Sequence, residues 1–225
     1  MSTQRGGGGR FDPDPSLRFS AQEIQDLLIA WLALGLAFAI FFAGGGNAAM
    51  ALVTESPTAF AVALVVSLLT AGVGFLLHEL GHKVVAVRYG NIAAFKAEYG
   101  MLFLAIMSAF LGFIFAAPGA VHHRGQLTER QHGLIALAGP AVNLVLAAVF
   151  VPLWLGGITL GIDLLELLGG RGLAVNLFLA AFNMIPIGAL DGRTIVGWSK
   201  AVWAGVFLPS IAVTVYVVFV MGVGF

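Results

Sequence analysis

Cysteine is absent from the 225 residues, which excludes disulfides and thiolate metal ligands. Charge is scarce too: only 10% of the residues are Asp, Glu, Lys or Arg, against roughly 25% in an ordinary soluble domain. Eleven basic residues balance eleven acidic ones, so the chain has no surplus of positive charge to hold nucleic acid, and no such partner is expected. No internal repeat is visible.

What fills the chain instead is apolar: 60% of it is hydrophobic. Runs without a formal charge cover 27–54, 56–77, 99–121, 131–162, 172–190 and 201–225, and about 20 apolar residues are enough to cross a bilayer as a helix. The expected fold is an all-α polytopic membrane protein set in a lipid bilayer. Residues 1–19 are rich in Gly, Pro and charge, lack the apolar core of a signal peptide, and are expected to form a disordered tail. Residues 20–225 are expected to be a single transmembrane domain. Ser20 and Glu23 have the spacing of a capping box, which predicts a helix from about 21 to 43 ended by Gly44–Gly46. Further segments are predicted at about 57–89, 101–117, 132–153, 172–187 and 202–223.

The second segment carries the unusual chemistry, "HELGH" at 78–82. Residues four apart on a helix lie about 40° apart around its axis, so His78 and His82 share a face, and Glu79 falls on the same third of the circumference. Two imidazoles so placed can hold Zn²⁺, and the neighbouring carboxylate can take a proton from a water that the ion activates. Ionisable groups inside apolar helices are costly and tend to be functional. A catalytic zinc needs a third protein ligand. Asp191, which follows 19 uncharged residues, is the outstanding candidate, although a carboxylate at a helix end paired with Arg193 is an equal alternative.

Taken with "GPAVN" at 139–143 and "NMIPIGALDG" at 183–192, "HELGH" resembles the three signatures of site-2 protease-like intramembrane zinc metalloproteases, peptidase family M50. The resemblance covers about residues 57–195. It implies that His78, His82 and Asp191 hold one zinc per chain and that Glu79 is the catalytic base. It places Gly139, Pro140 and Asn143 in the middle motif and Asn183, Pro186 and Gly192 in the third, as substrate-binding or transition-state support. The PDZ and CBS domains that some relatives carry are not expected here. Read from the residues alone, Pro186 breaks a helix. Asn143 and Asn183 either hydrogen-bond between helices or hold a substrate backbone. His122, His123 and His132 are expected to be solvated or packed, Phe103, Phe110, Phe113 and Phe115 to meet lipid or neighbouring helices, and Trp154, Trp198 and Trp203 to lie at membrane interfaces.

Chemistry selects among topologies. If 101–117 crossed the bilayer, three crossings would separate His82 from Asp191, and the two could not share an ion. A re-entrant or interfacial 101–117 lets them meet and leaves five full spans. With the N-terminus cytoplasmic, ten of the eleven basic residues then fall inside, all except Arg171. The expected protein is a multi-pass cell-membrane metalloendopeptidase with its site toward the cytoplasm. It would cut membrane-spanning or membrane-proximal segments that carry helix-breaking residues. A membrane metal transporter and a catalytically inactive membrane scaffold are the alternatives.

Overall fold

The Ser20 side chain accepts from the Glu23 amide and starts α1, Ala21–Phe42. The computed structural model describes residues 17–115 and 117–224. Most of the expected tail, residues 1–16, lies outside them. After the turn at Ala43–Gly45 come α2 (Gly46–Glu55) and then a continuous helical rod. The rod is α3 (Pro57–Ser67), a π turn at Leu68–Gly72 and α4 (Val73–Arg88). Pro57 opens α3 at its first turn, where a missing N–H costs nothing. The π turn loosens the backbone ladder, and the Trp31 indole N–H of α1 donates to the Leu68 carbonyl at 3.0 Å.

A hairpin that the sequence did not disclose follows. β1 (Ile92–Ala97) pairs antiparallel with β2 (Gly119–Arg124), with Ile92 opposite Arg124 and Ala97 opposite Gly119. Between the strands lies α5, Tyr99–Phe110. Its 12 residues are about 18 Å of helix, short of the roughly 30 Å hydrocarbon core. The Tyr99 hydroxyl donates to Asp26 near the start of α1, whereas Phe110 lies against Gly45 and Gly46 beyond its end. α5 therefore follows α1 lengthwise, and Gly119 returns the chain to Ala97. The segment doubles back, and the two strands begin and end at one end of the bundle.

The predicted capping box at Ser20 is only half made, because Glu23 is used elsewhere. Its carboxylate accepts from Lys83 Nζ at 2.6 Å and from the Phe95 amide at 3.0 Å, and Asp26 accepts from the Ala97 amide at 3.0 Å. Two acids of α1 thus satisfy donors of β1. Lys83 is 2% exposed and also donates to the Arg18 carbonyl.

The complete capping box belongs to Thr128 and Gln131, which open α6, Glu129–Leu160. Gly161, at φ +66°, ends it. α7 (Asp163–Asn183) begins earlier than predicted, so Asp163 and Glu166 are in its first turn rather than in a loop. α6 and α7 pack closely because Gly169 and Gly172 face Trp154 and Phe150 without side chains between. After an irregular stretch come α8 (Asp191–Trp198) and α9 (Lys200–Thr214), extended by a π turn to Val220. α1, the α3–α4 rod, α6, α7 and the extended α9 are each long and apolar enough to cross a membrane. The protein is a multi-pass helical membrane protein.

Candidate metal centre

α4 presents His78, Glu79 and His82 inward, exposed by only 5%, 6% and 7%. Their Nε2 atoms converge: His78 and His82 are 3.0 Å apart, and Asp191 Oδ2 lies 3.3 Å from the first and 3.4 Å from the second. His82 and Asp191 therefore reach one point although they come from opposite parts of the chain.

The partners of the ring Nδ1 atoms decide what those Nε2 atoms can do. His82 Nδ1 lies 2.7 Å from the Ile135 carbonyl, which can only accept, so Nδ1 carries a proton and, in the neutral ring that binds metal, Nε2 is bare. His78 Nδ1 lies 2.6 Å from Asn143 Oδ1. The Asn143 amide is oriented by its other end: Nδ2 donates to the Gly74 carbonyl at 3.1 Å and to Asn176 Oδ1 at 3.0 Å. Asn176 is oriented in turn, because its Nδ2 donates to the Gly172 carbonyl at 2.9 Å. Asn143 Oδ1 is thus the acceptor, His78 Nδ1 the donor, and His78 Nε2 bare as well. Two lone pairs and a carboxylate oxygen face one another. Asp191 Oδ2 is buried and has no hydrogen-bond partner among the described residues. Such a donor set attracts a cation and fits two imidazoles and one carboxylate around zinc. Glu79 Oε2 is likewise buried without a partner.

These residues border a cavity of about 320 Å³ whose apolar wall includes Leu34 and Phe38 of α1, Ile114, and Phe178 and Phe182 of α7.

Known proteins can now be compared. A protein of Methanocaldococcus jannaschii named "Putative zinc metalloprotease MJ0611" is 39% identical over 204 residues, which are 90% of this chain and 97% of that protein. "Putative zinc metalloprotease Rip2" from Mycolicibacterium smegmatis and "Putative zinc metalloprotease YwhC" from Bacillus subtilis are 30% and 31% identical, and the chain spans 66% of the length of each. The chain belongs to this family of zinc metalloproteases. Zinc is its cofactor. No family model matches the chain, and no solved structure does.

The remaining motif residues of the metalloprotease divide into those at the centre and those around it. Gly139 is at it: a Cβ there would come 2.5 Å from Nε2 of both histidines. Pro140, buried beside it, removes one hydrogen bond from α6 just after the turn whose Ile135 carbonyl serves His82. Gly192 packs directly against the Met184 carbonyl, so any side chain there would push Asp191 out of place. Pro186 is exposed in the irregular stretch after α7 and does not line the cavity. Asn183 lines the cavity, yet its amide donates to Leu179 of its own helix at 2.9 Å.

Three residues near the site escaped the sequence reading. Asn176 is a fully buried amide in an apolar run, the same signal that singled out Asn143 and Asn183. His123, half-buried, and His132, exposed, were expected to be solvated or packed, and both also line this cavity; His122 is exposed. No sequence signal distinguishes them, because only the pairing of β2 brings His123 over α6.

Proposed function

We propose that this metalloprotease is an intramembrane endopeptidase of the site-2 protease type, peptidase family M50. In this reading it hydrolyses peptide bonds within or next to transmembrane segments of other proteins. The observation that carries the reading is the orphaned Asp191 Oδ2 facing two bare Nε2 atoms, with Glu79 beside them inside an apolar bundle.

His78, His82 and Asp191 would hold the zinc, which when bound polarises the scissile carbonyl and acidifies a water. Asn143 and the Ile135 carbonyl hold the two rings in the required tautomer and orientation. Glu79 Oε2 takes a proton from the attacking water as oxygen joins the carbonyl carbon, and delivers it to the leaving nitrogen as the C–N bond breaks. The apolar wall formed by Phe38, Ile114 and Phe178 excludes bulk water and suits an extended, uncharged stretch of substrate. A helical carbonyl is already hydrogen-bonded, so substrates with Gly or Pro near the cut are the ones that can unwind into the site. In this reading the N-terminal end of α1 faces the cytoplasm, as the positive-inside rule favours. The site, at the level of the Glu23–Lys83 pair, then lies toward the cytoplasmic side of the cell membrane.

The test is cleavage of a single-span substrate carrying Gly or Pro near mid-membrane by reconstituted wild-type and Glu79→Gln protein. Glu79→Gln should keep its zinc and lose about 10²–10⁴-fold in rate. Equal cleavage by the two proteins would overturn the mechanism, and metal flux without cleavage would point to a transporter.

A further inference from the structure

We propose a second divalent-metal site, built by His123 and His132 at the edge of the catalytic cavity, that takes Zn²⁺ and obstructs the cavity when filled. The two rings come from separate elements. His123 is on the inward face of β2, between exposed His122 and Arg124. His132 is in the first turn of α6, on the stripe that continues through Ile135, Gly139 and Asn143 to the catalytic centre.

The spacing suits a shared ion. The ring centroids are 5.2 Å apart at an interplanar angle of 53°. Two imidazoles bound to one tetrahedral zinc at about 2.0–2.1 Å have centroids roughly 5 Å apart. The catalytic pair, His78 and His82, lies at 4.6 Å.

The chemistry agrees with the spacing. Burial, and then the neighbouring His132, His82 and His122, lower the His123 imidazole below its ordinary value, which weakens a proton's competition with a metal ion. Imidazole suits zinc, copper and nickel, and water can complete the coordination where the cavity opens. Arg124 and Arg130, both exposed, are the nearby charges in sequence that oppose a cation, and exposed Glu129 offsets them.

A bound ion would tie β2 to α6 at a cavity whose lining also includes Glu79 and Asp191. Excess zinc would then inhibit the enzyme whose function requires one zinc. Binding stands independently of proteolysis, whereas inhibition rests on the function proposed above.

The test is equilibrium dialysis of the full chain against Zn²⁺, followed by metal analysis. Wild type should bind one tight equivalent and a second, weaker one. His123→Asn and His132→Asn should each lose the weak equivalent and keep the tight one, which also reports that the fold is intact. Asp191→Ala should do the reverse. A wild type with a single equivalent, or a weak equivalent that survives both histidine variants, overturns the site. Where cleavage is measurable, excess zinc should slow wild type severalfold and His132→Asn much less. Equal sensitivity would overturn the inhibitory role even with the ion bound, and absence of all cleavage would count against the proteolytic reading while dialysis still reads the site.

Discussion

Asn143 Oδ1 stands 2.6 Å from His78 Nδ1, and the same amide donates to Asn176 on a third helix. One side chain therefore fixes the tautomer of a metal-facing histidine and ties α4, α6 and α7 together around it. Outer partners of this kind typically contribute 10–100-fold to metal affinity. Asn143→Ala should weaken zinc binding by about that factor, measured by competition with a chelator of known affinity. Asn176→Ala should give a smaller loss, because it acts on His78 only through Asn143. Unchanged affinity in both variants would remove the chain of amides from the account of the site.

Asp191 is the proposed third ligand, and the topology turns on it. Asp191→Ala leaves two imidazoles, too few for a closed or catalytic zinc site. Metal analysis should find the tight equivalent gone, while His78→Ala and His82→Ala should lose it as well. Full zinc in Asp191→Ala would assign the third position to another group.

The residues that share one helix face were legible from a local rule, whereas the roles of Asp191, Gly139 and Asn143 were assigned through the family resemblance. His78, Glu79 and His82 follow from helix periodicity, and the ends of α1 and α6 from Gly, whereas Pro140, Pro152 and Pro209 sit inside helices. What could not be read depends on pairing between distant segments. "IAAFKA" and "GAVHHR" carry few β-branched or aromatic residues and become strands only by meeting each other. Glu23 looked like half of a capping box, yet the Phe95 amide and Lys83 compete for its carboxylate, and the buried partners win. The length of α7 was underestimated because Arg171 interrupts its apolar run. Its guanidinium instead lies 4.4 Å over the Phe42 ring.

The hairpin sets the crossing count, and the cysteine-free background lets labelling test it. Ile92 and Ala120 are both exposed on the two strands. Single cysteines there should react with impermeant reagent from the same side, the cytoplasmic one. Labelling from opposite sides would make α5 a crossing segment and break the shared site.

Lys83 and Glu23 form a buried pair, 2% and 3% exposed. Removing one partner of such a pair costs about 3–5 kcal/mol, because the other charge is left buried alone. Lys83→Met should therefore lower the thermal unfolding midpoint in detergent markedly. Lys83→Met with Glu23→Gln should recover part of the loss, but not all, since Glu23 also serves the Phe95 amide. A single variant as stable as wild type would show that the charge is not isolated on truncation.

Gly139→Ala separates the metal site from the fold. Alanine is the better residue in a helix by about 1 kcal/mol, so α6 alone would favour the change. The added methyl, however, would stand 2.5 Å from both Nε2 atoms, at the edge of the space the ion must fill. The rings cannot retreat together, because His78 is fixed by Asn143 and His82 by the Ile135 carbonyl. Overpacking of this kind costs roughly 1–3 kcal/mol, enough to cancel the helical gain. The expected outcome is a folded protein with a near-normal unfolding midpoint that retains little zinc and cleaves no substrate. Gly139→Ser should behave the same way or worse. Normal zinc content in Gly139→Ala would show that the imidazoles are freer to move than their hydrogen bonds imply, and the tautomer argument would lose its geometric support.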